Sequence, residues 1–493
     1  MRQLLILPAN SRILSQINMS MRDLAKTDEK RLMHTKWIRQ NHVELLPKYR
    51  STLKWQARLT FCRRLKEIVG NDIRCILNGI PWDEHIHSHV ELECLPSGDW
   101  GYEYVHATAP YGRTRFDDLM YMSGRFQDSW GDFGGMKTIA AMENDMYDAM
   151  MHSYGLSFGD HLHPIDGLEE EVISRIGKVF SEKMQYELFD DGAKCVVEIG
   201  VLVECGECFA DTYAKGFAKM LCELKLPYNI YDANGNISGL KLLIVPKILK
   251  MDALLAEKLC NFVDKGGKIL FVGSAIDLGV QLSLLNFIEL IGEDTCDKAY
   301  FTLPESTMRW ASYKPSRQIK NIGGHELSKY VAGITSQKWD GEHAYFYTPQ
   351  GELTSYSTAV VGENAACICF DAFGAYAEKF LFEIKALVQR VIDQLLPERF
   401  IRTVGFPSWA TISVTENVLN RIIHVKATHP EQKNGRGIIE EHSYLKSGKI
   451  SVEGEYQVYS LPDMKTISAT QKEGRTEFET GDFLGYRAFS LRN

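Results

Sequence analysis

The sequence predicts a chain of α/β class in three parts: a (β/α)-barrel-type first region, a doubly wound parallel sheet, and a small antiparallel β-sandwich. Three observations carry this reading. Before residue 190, a short strand, a polar strand tip and a helix recur in turn. From Val196 to Leu396, apolar runs rich in β-branched residues alternate with amphipathic helices, the pattern of a parallel sheet covered on both faces. From Phe400 to Asn493 no helical period is visible, and alternating runs such as ATISVTE and RIIHVKAT take its place. The boundaries fall at 1–190, 191–398 and 399–493, since 493 residues exceed one ordinary domain.

Within the first region, residues 31–70 carry ten Lys or Arg against Glu44 and Glu67 and read as the solvated faces of two helices separated near Pro47. DIRCILNG reads as a buried strand ending in Asn78 and Gly79. In HSHVELECLP, Val90, Leu92 and Cys94 alternate with His89, Glu91 and Glu93. A half-exposed strand would look the same; in a barrel, the polar face would line the substrate cleft while the apolar face packs on helices. LMYMSGRF and YGLSFGDHLHP read as two further strands, the second ending in Asp160, His161 and His163.

Between them lies MSGRFQDSWGDFGGMK, residues 122–137, with four glycines, two aspartates, an arginine and a tryptophan. Such a segment suits a strand-to-helix loop on the catalytic face of a barrel. Its glycines permit tight turns, and Trp130 offers either a flat platform for a sugar ring or a core plug beneath a structural loop.

In the middle region the strands read as Val196–Val203, YNIYD, LKLLIVPK, GGKILFVG and ACICFDAF, with helices over Phe209–Leu224, Asp252–Asp264 and Ala377–Leu396. CGEC, Cys205 to Cys208, is a single CxxC without a second pair for zinc and without the GxCxG elbow that a nucleophilic cysteine needs.

The bulk properties narrow the function classes. A net charge of −8 with 24% charged residues gives no general reason to expect nucleic acid. MRQLLILPAN is too short an apolar start for a signal peptide, and no window approaches a membrane span. The eleven cysteines are scattered and odd in number, as in a reduced, cytoplasmic protein. HIHSH (His85, His87, His89) and HLH (His161, His163) have the residue type and alternate spacing of a zinc site, but histidines lining a sugar cleft look the same; no metal and no cofactor is expected.

HVELECLPSGDWGYEY, MSGRFQDSWGDFGG and GDHLHP followed by IGKVF resemble the later barrel portion of glycoside hydrolases that carry a β-galactosidase trimerisation domain, relatives of family-42 β-galactosidases and, more distantly, of α-L-fucosidases. Residues 195–395 are similar to the trimerisation domain itself, a flavodoxin- or amidotransferase-like module, and the part after 400 to the family's C-terminal domain. Where the family pattern reads GDQLHP, this chain has His161. A complete (β/α)8 barrel takes roughly 250 residues, so the resemblance implies a partial barrel holding the later strands.

It also implies carboxylate-based hydrolysis of O-glycosides in carbohydrate metabolism, a carbohydrate substrate and a homotrimer. The catalytic candidates are Glu93, at the open end of its strand, Glu91 on the same face, and Asp128, which follows the strand after which the family places its nucleophile, there usually a glutamate. His89, Arg125, Trp130, Asp132, Asp160, His161 and His163 would bind hydroxyls or orient the carboxylates. The alternative is a non-catalytic carbohydrate-binding or oligomerisation subunit.

Overall fold

A three-stranded sheet carries the sites singled out above. A computed structural model describes residues 46–492, apart from 71–72, 78–81, 85, 166, 205–211, 248–251, 295, 337, 340, 343 and 346. Asn78, Gly79, His85 and the CGEC motif lie outside the described residues.

Residues up to Glu91 cluster as one unit and Leu92–Asn493 as a second. In the first, helix α1 (Leu46–Val69) packs Cys62 against Leu77, with Trp55, Leu59 and Leu65 around them. Of the strand expected over DIRCILNG, the described residues 73–77 are not in a strand. Cys75 bonds Ser88 instead: the Ser88 hydroxyl accepts from Cys75 N at 2.6 Å, and Ser88 N donates to Cys75 O at 3.0 Å. A few apolar residues in a row describe a buried segment as well as a strand, and only a partner makes the difference.

The sheet order β1 (Val90–Glu93), β2 (Leu119–Gly124), β3 (Gly155–Gly159) follows the chain. β2 and β3 pair in parallel from Met120↔Gly155 to Gly124↔Gly159, and Cys94 N donates to Met122 O just past β1. The connections are helical, as parallel strands require: α2 (Tyr104–Gly112) precedes β2 and α3 (Ile139–Met151) precedes β3. Thr138 caps α3, its hydroxyl accepting from Ala141 N at 3.0 Å. α4 (Glu170–Met184) follows β3 and sets Glu170 and Glu171 against its N-terminal dipole.

The doubly wound sheet forms as the apolar runs predict. β4 (Ile199–Leu202), β5 (Tyr228–Tyr231), β6 (Leu242–Val245), β7 (Lys268–Val272) and β8 (Ala365–Ile368) are parallel, in the order β5-β4-β6-β7-β8. Every residue of β4, β6 and β8 is buried. The helix expected over Ala377–Leu396 is two helices, Ala372–Lys379 and Phe382–Leu395, broken where Phe380 takes φ 52°. Residues 288–361, between β7 and β8, extend the sheet with antiparallel strands, chiefly Ile288–Glu293, Arg317–Asn321, His325–Gly333 and Gln350–Val361.

After Phe400 the chain forms two antiparallel sheets around a core of Ile412, Val414, Ile423, Val425, Ile450, Val452, Phe478 and Phe489. A two-residue strand, Lys194–Cys195, joins one of these sheets through Ala410–Glu416, with Thr415↔Cys195 in register. No helix among the described residues is long and apolar enough to cross a membrane.

Candidate active site

Alternation along β2 sorts its side chains. Tyr121 and Ser123 are buried on the side where α3 packs, and the Ser123 hydroxyl donates to Asp145 Oδ2 of α3 at 2.6 Å. Met120, Met122 and Gly124 therefore point to the opposite face. In β1 the same alternation buries Val90 and Leu92 and leaves Glu91 and Glu93 half-buried.

The glycine-rich loop folds around Arg125, which is 2% exposed. Its Nη1 donates to the carbonyls of Asp132, Phe133 and Gly135 at 2.7, 3.0 and 3.0 Å, and its Nε donates to Asp160 Oδ1 at 2.8 Å. Its own backbone closes the base of the loop: Arg125 N donates to Gly159 O, and Lys137 N donates to Arg125 O at 2.8 Å. Asp132 Oδ1 accepts from Gly135 N, three residues on, at 3.0 Å and so shapes the DFGG segment. Arg125, Asp132 and Asp160 thus form one structural clamp.

Trp130 lies against the ends of β2 and β3. A Cβ built on Gly124 or Gly159 would stand 2.6 or 2.9 Å from its ring, so glycine is required at both strand tips. Phe126 meets the indole edge-on at 5.7 Å, and its Nε1–H is buried without a partner among the described residues. Around these rings gather the exposed His161, 5.5 Å from Phe126 and 5.9 Å from Phe133, and His163, 5.5 Å from Phe133. Six of the ten candidates (Arg125, Trp130, Asp132, Asp160, His161 and His163) therefore meet at the tips of β2 and β3. Asp128 N donates to Asp132 Oδ2 of that cluster at 3.3 Å, while the Asp128 carboxylate pairs with Arg436, 308 residues downstream.

His89 and Glu91 form a second group. His89 Nδ1 meets Ser88 Oγ at 2.8 Å, and Nε2 meets Glu91 Oε1 at 3.1 Å. The Ser88 hydroxyl donates to Cys75 O, so His89 Nδ1–H donates to Ser88.

Two polar groups escaped the sequence reading because both are buried. Lys137, fully enclosed, bonds Ser123 Oγ at 2.8 Å and pairs with Asp145. Asp148 of α3 and His152, the residue just past its end, approach His106 of α2 with ligand atoms within 4.8 Å, the one such group among the described residues. Its neighbours disfavour a metal. Lys426 pairs with Asp148, and Arg113 Nη1 donates to His152 Nδ1 at 2.9 Å, which puts the His152 proton on Nε2, facing His106 Nδ1 at 3.2 Å. A divalent ion would join two cations in a buried site. Burial lowers the His106 pKa to about 3 and that of His152 well below its ordinary value, so both rings are neutral.

Compared with solved structures, the chain superposes on α-L-fucosidase isoenzyme 2 from Paenibacillus thiaminolyticus with a TM-score of 0.79 and 22% identity, over 92% of this chain and 73% of that one. The β-galactosidase from Bacillus circulans sp. alkalophilus gives 0.60 at 12% identity, over 90% and 67%. The GH42 β-galactosidase Gan42B from G. stearothermophilus gives 0.57 at 12%, over 89% and 69%. No family model matches the chain, and no curated protein matches it by sequence. What the chain shares with these enzymes is its architecture: a partial barrel, a doubly wound sheet and a β-rich C-terminal region in a glycoside hydrolase-like fold.

Proposed function

We propose that this chain binds and hydrolyses O-glycosides of the β-galactoside or α-L-fucoside type, with Glu93 and Asp128 as the carboxyl pair and Glu91 as the alternative to Glu93. The observation that carries this reading is the superposition on an α-L-fucosidase over 92% of the chain, together with carboxylates at the tips of its parallel strands. In a retaining glycosidase, one carboxyl protonates the leaving oxygen while the other attacks the anomeric carbon; the two stand about 5–5.5 Å apart. The first then takes a proton from the water that releases the sugar. Asp128, at the loop surface, suits attack. Glu93, half-buried at a strand end, suits proton transfer. The tip cluster of Trp130, His161 and His163 would form the sugar-binding floor, and a homotrimer would be the working assembly.

A second reading, a carbohydrate-binding subunit without turnover, draws support from Arg125, Asp132 and Asp160 holding one another. Hydrolysis of a panel of aryl glycosides by the chain, Glu93→Gln and Asp128→Asn separates the two. Turnover abolished by either substitution supports the glycosidase. Saturable sugar binding without turnover in all three supports the binding subunit.

A further inference from the structure

The glycine-rich loop is held from two sides. On its buried side Arg125 gathers the carbonyls of residues 132, 133 and 135. On its exposed side the hold comes from the C-terminal β-rich region. There the hairpin Glu431–Lys433 and Arg436–Ile438 turns through Asn434 and Gly435, both at positive φ, the Asn-Gly turn that suits a two-residue hairpin. The hairpin leaves its root well anchored. The Thr138 hydroxyl donates to Ile439 O at 2.8 Å, and Ile439 is buried against Tyr102, Ala140 and Ala141. Lys433 is matched within the hairpin by Glu431 and Glu440, whereas Arg436 reaches out to Asp128.

We propose that Arg436 is a positioning residue of the glycoside site: a hairpin anchored beside α3 carries its guanidinium onto Asp128 and keeps that carboxylate and residues 127–133 in one arrangement. This rests on the reading of Asp128 given above. Both partners are substantially exposed, 43% for Arg436 and 57% for Asp128. Exposed pairs add little to stability, yet a reacting group displaced by about 1 Å can cost on the order of a hundredfold in rate. The pair should therefore register in the placement of the loop and in turnover, and hardly in the unfolding midpoint.

The test compares the full chain with Arg436→Met and Arg436→Lys in two measurements. In amide hydrogen exchange, Arg436→Met should raise exchange across residues 127–133 and leave α3 unchanged, with Arg436→Lys in between. In glycoside hydrolysis, Arg436→Met should lower kcat about tenfold or more with KM within about threefold, and Arg436→Lys should recover part of the loss. Unchanged exchange at 127–133 overturns the proposal. So does unchanged kcat in Arg436→Met where Asp128→Asn is inactive. If the unaltered chain hydrolyses no glycoside, the glycosidase reading fails by itself, and the exchange result alone decides whether Arg436 orders the loop.

Discussion

The glycine-rich loop and the polar junction beneath α3 are both rich in charge, but burial gives them opposite roles. At the loop, Asp128 is exposed, His161 is exposed and Trp130 is half-buried, so a ligand can reach them. At the junction Lys137, Asp145, Asp148 and Lys426 are between 0% and 3% exposed and are matched to one another. The junction also ties elements together. Arg113 at the end of α2 donates to Tyr228 O of β5 at 2.6 Å, Lys426 comes from the C-terminal region, and the Thr428 hydroxyl donates to Asn144 Oδ1 of α3 at 2.6 Å. Cationic and anionic residues in number are therefore no guide to a site until their access to solvent is known.

If that contrast holds, the largest effect belongs to the junction. Lys426→Met strips Asp148 of its cation inside a closed environment, and breaking such a buried pair costs about 3–5 kcal/mol. Chemical denaturation followed by tryptophan fluorescence should show the midpoint fall accordingly, while Asp128→Asn at the loop leaves it where it was. Equal midpoints for the two variants would erase the distinction between the regions.

A smaller effect is expected where the loop meets the sheet. Gly124→Ala or Gly159→Ala forces a methyl group into the Trp130 ring, and overpacking of this kind costs about 1–3 kcal/mol. Trp130→Ala should relieve the clash in the Gly159→Ala background, so that double variant is more stable than the sum of the single changes predicts, whereas at Gly124 the Phe126 ring, 2.8 Å from the added methyl, still obstructs it. Additive changes at Gly159 would mean that Trp130 does not rest on the tip of β3.

How much of this was readable in advance depends on where the information sits along the chain. β4, β6, β7 and β8 were readable because a strand buried on both faces must be continuously apolar, a local property. Residues 288–361 were not, because strands there change environment along their length: Gln350–Val361 runs from exposed at one end to fully buried at the other and shows no single period. The loop announced itself through Trp130 and its glycines, but not what its polar residues do. Arg125 beside glycine and aspartate reads as a ligand-binding cation, and only the fold brings three carbonyls and Asp160 to it. Arg436 is the opposite case. Its partner stands 308 residues away, and nothing in the chain around Arg436 points to it.

The finest test of the comparison is its pH dependence. His106 and His152 are held neutral chiefly by burial, with Arg113 and Lys426 opposing protonation further, Glu103 favouring it at His106, and Lys219 and His424 contributing against it. Unfolded, an unperturbed histidine titrates near 6.5; folded, His106 titrates near 3. Between those values the unfolded chain binds the extra proton, so stability is fully present above pH 6.5 and is lost as the pH falls toward 3. One histidine contributes a slope of at most about 1.4 kcal/mol per pH unit in this window. His106→Asn keeps an amide that can face His152 and removes one titrating group. Its denaturation midpoint should therefore fall less steeply than that of the unaltered chain between pH 6 and pH 4 (roughly the middle of the window). Carboxylates elsewhere titrate in both proteins and cancel in the difference. Identical slopes would mean that His106 is open to protons in the folded state, and that the junction is no more closed than the loop.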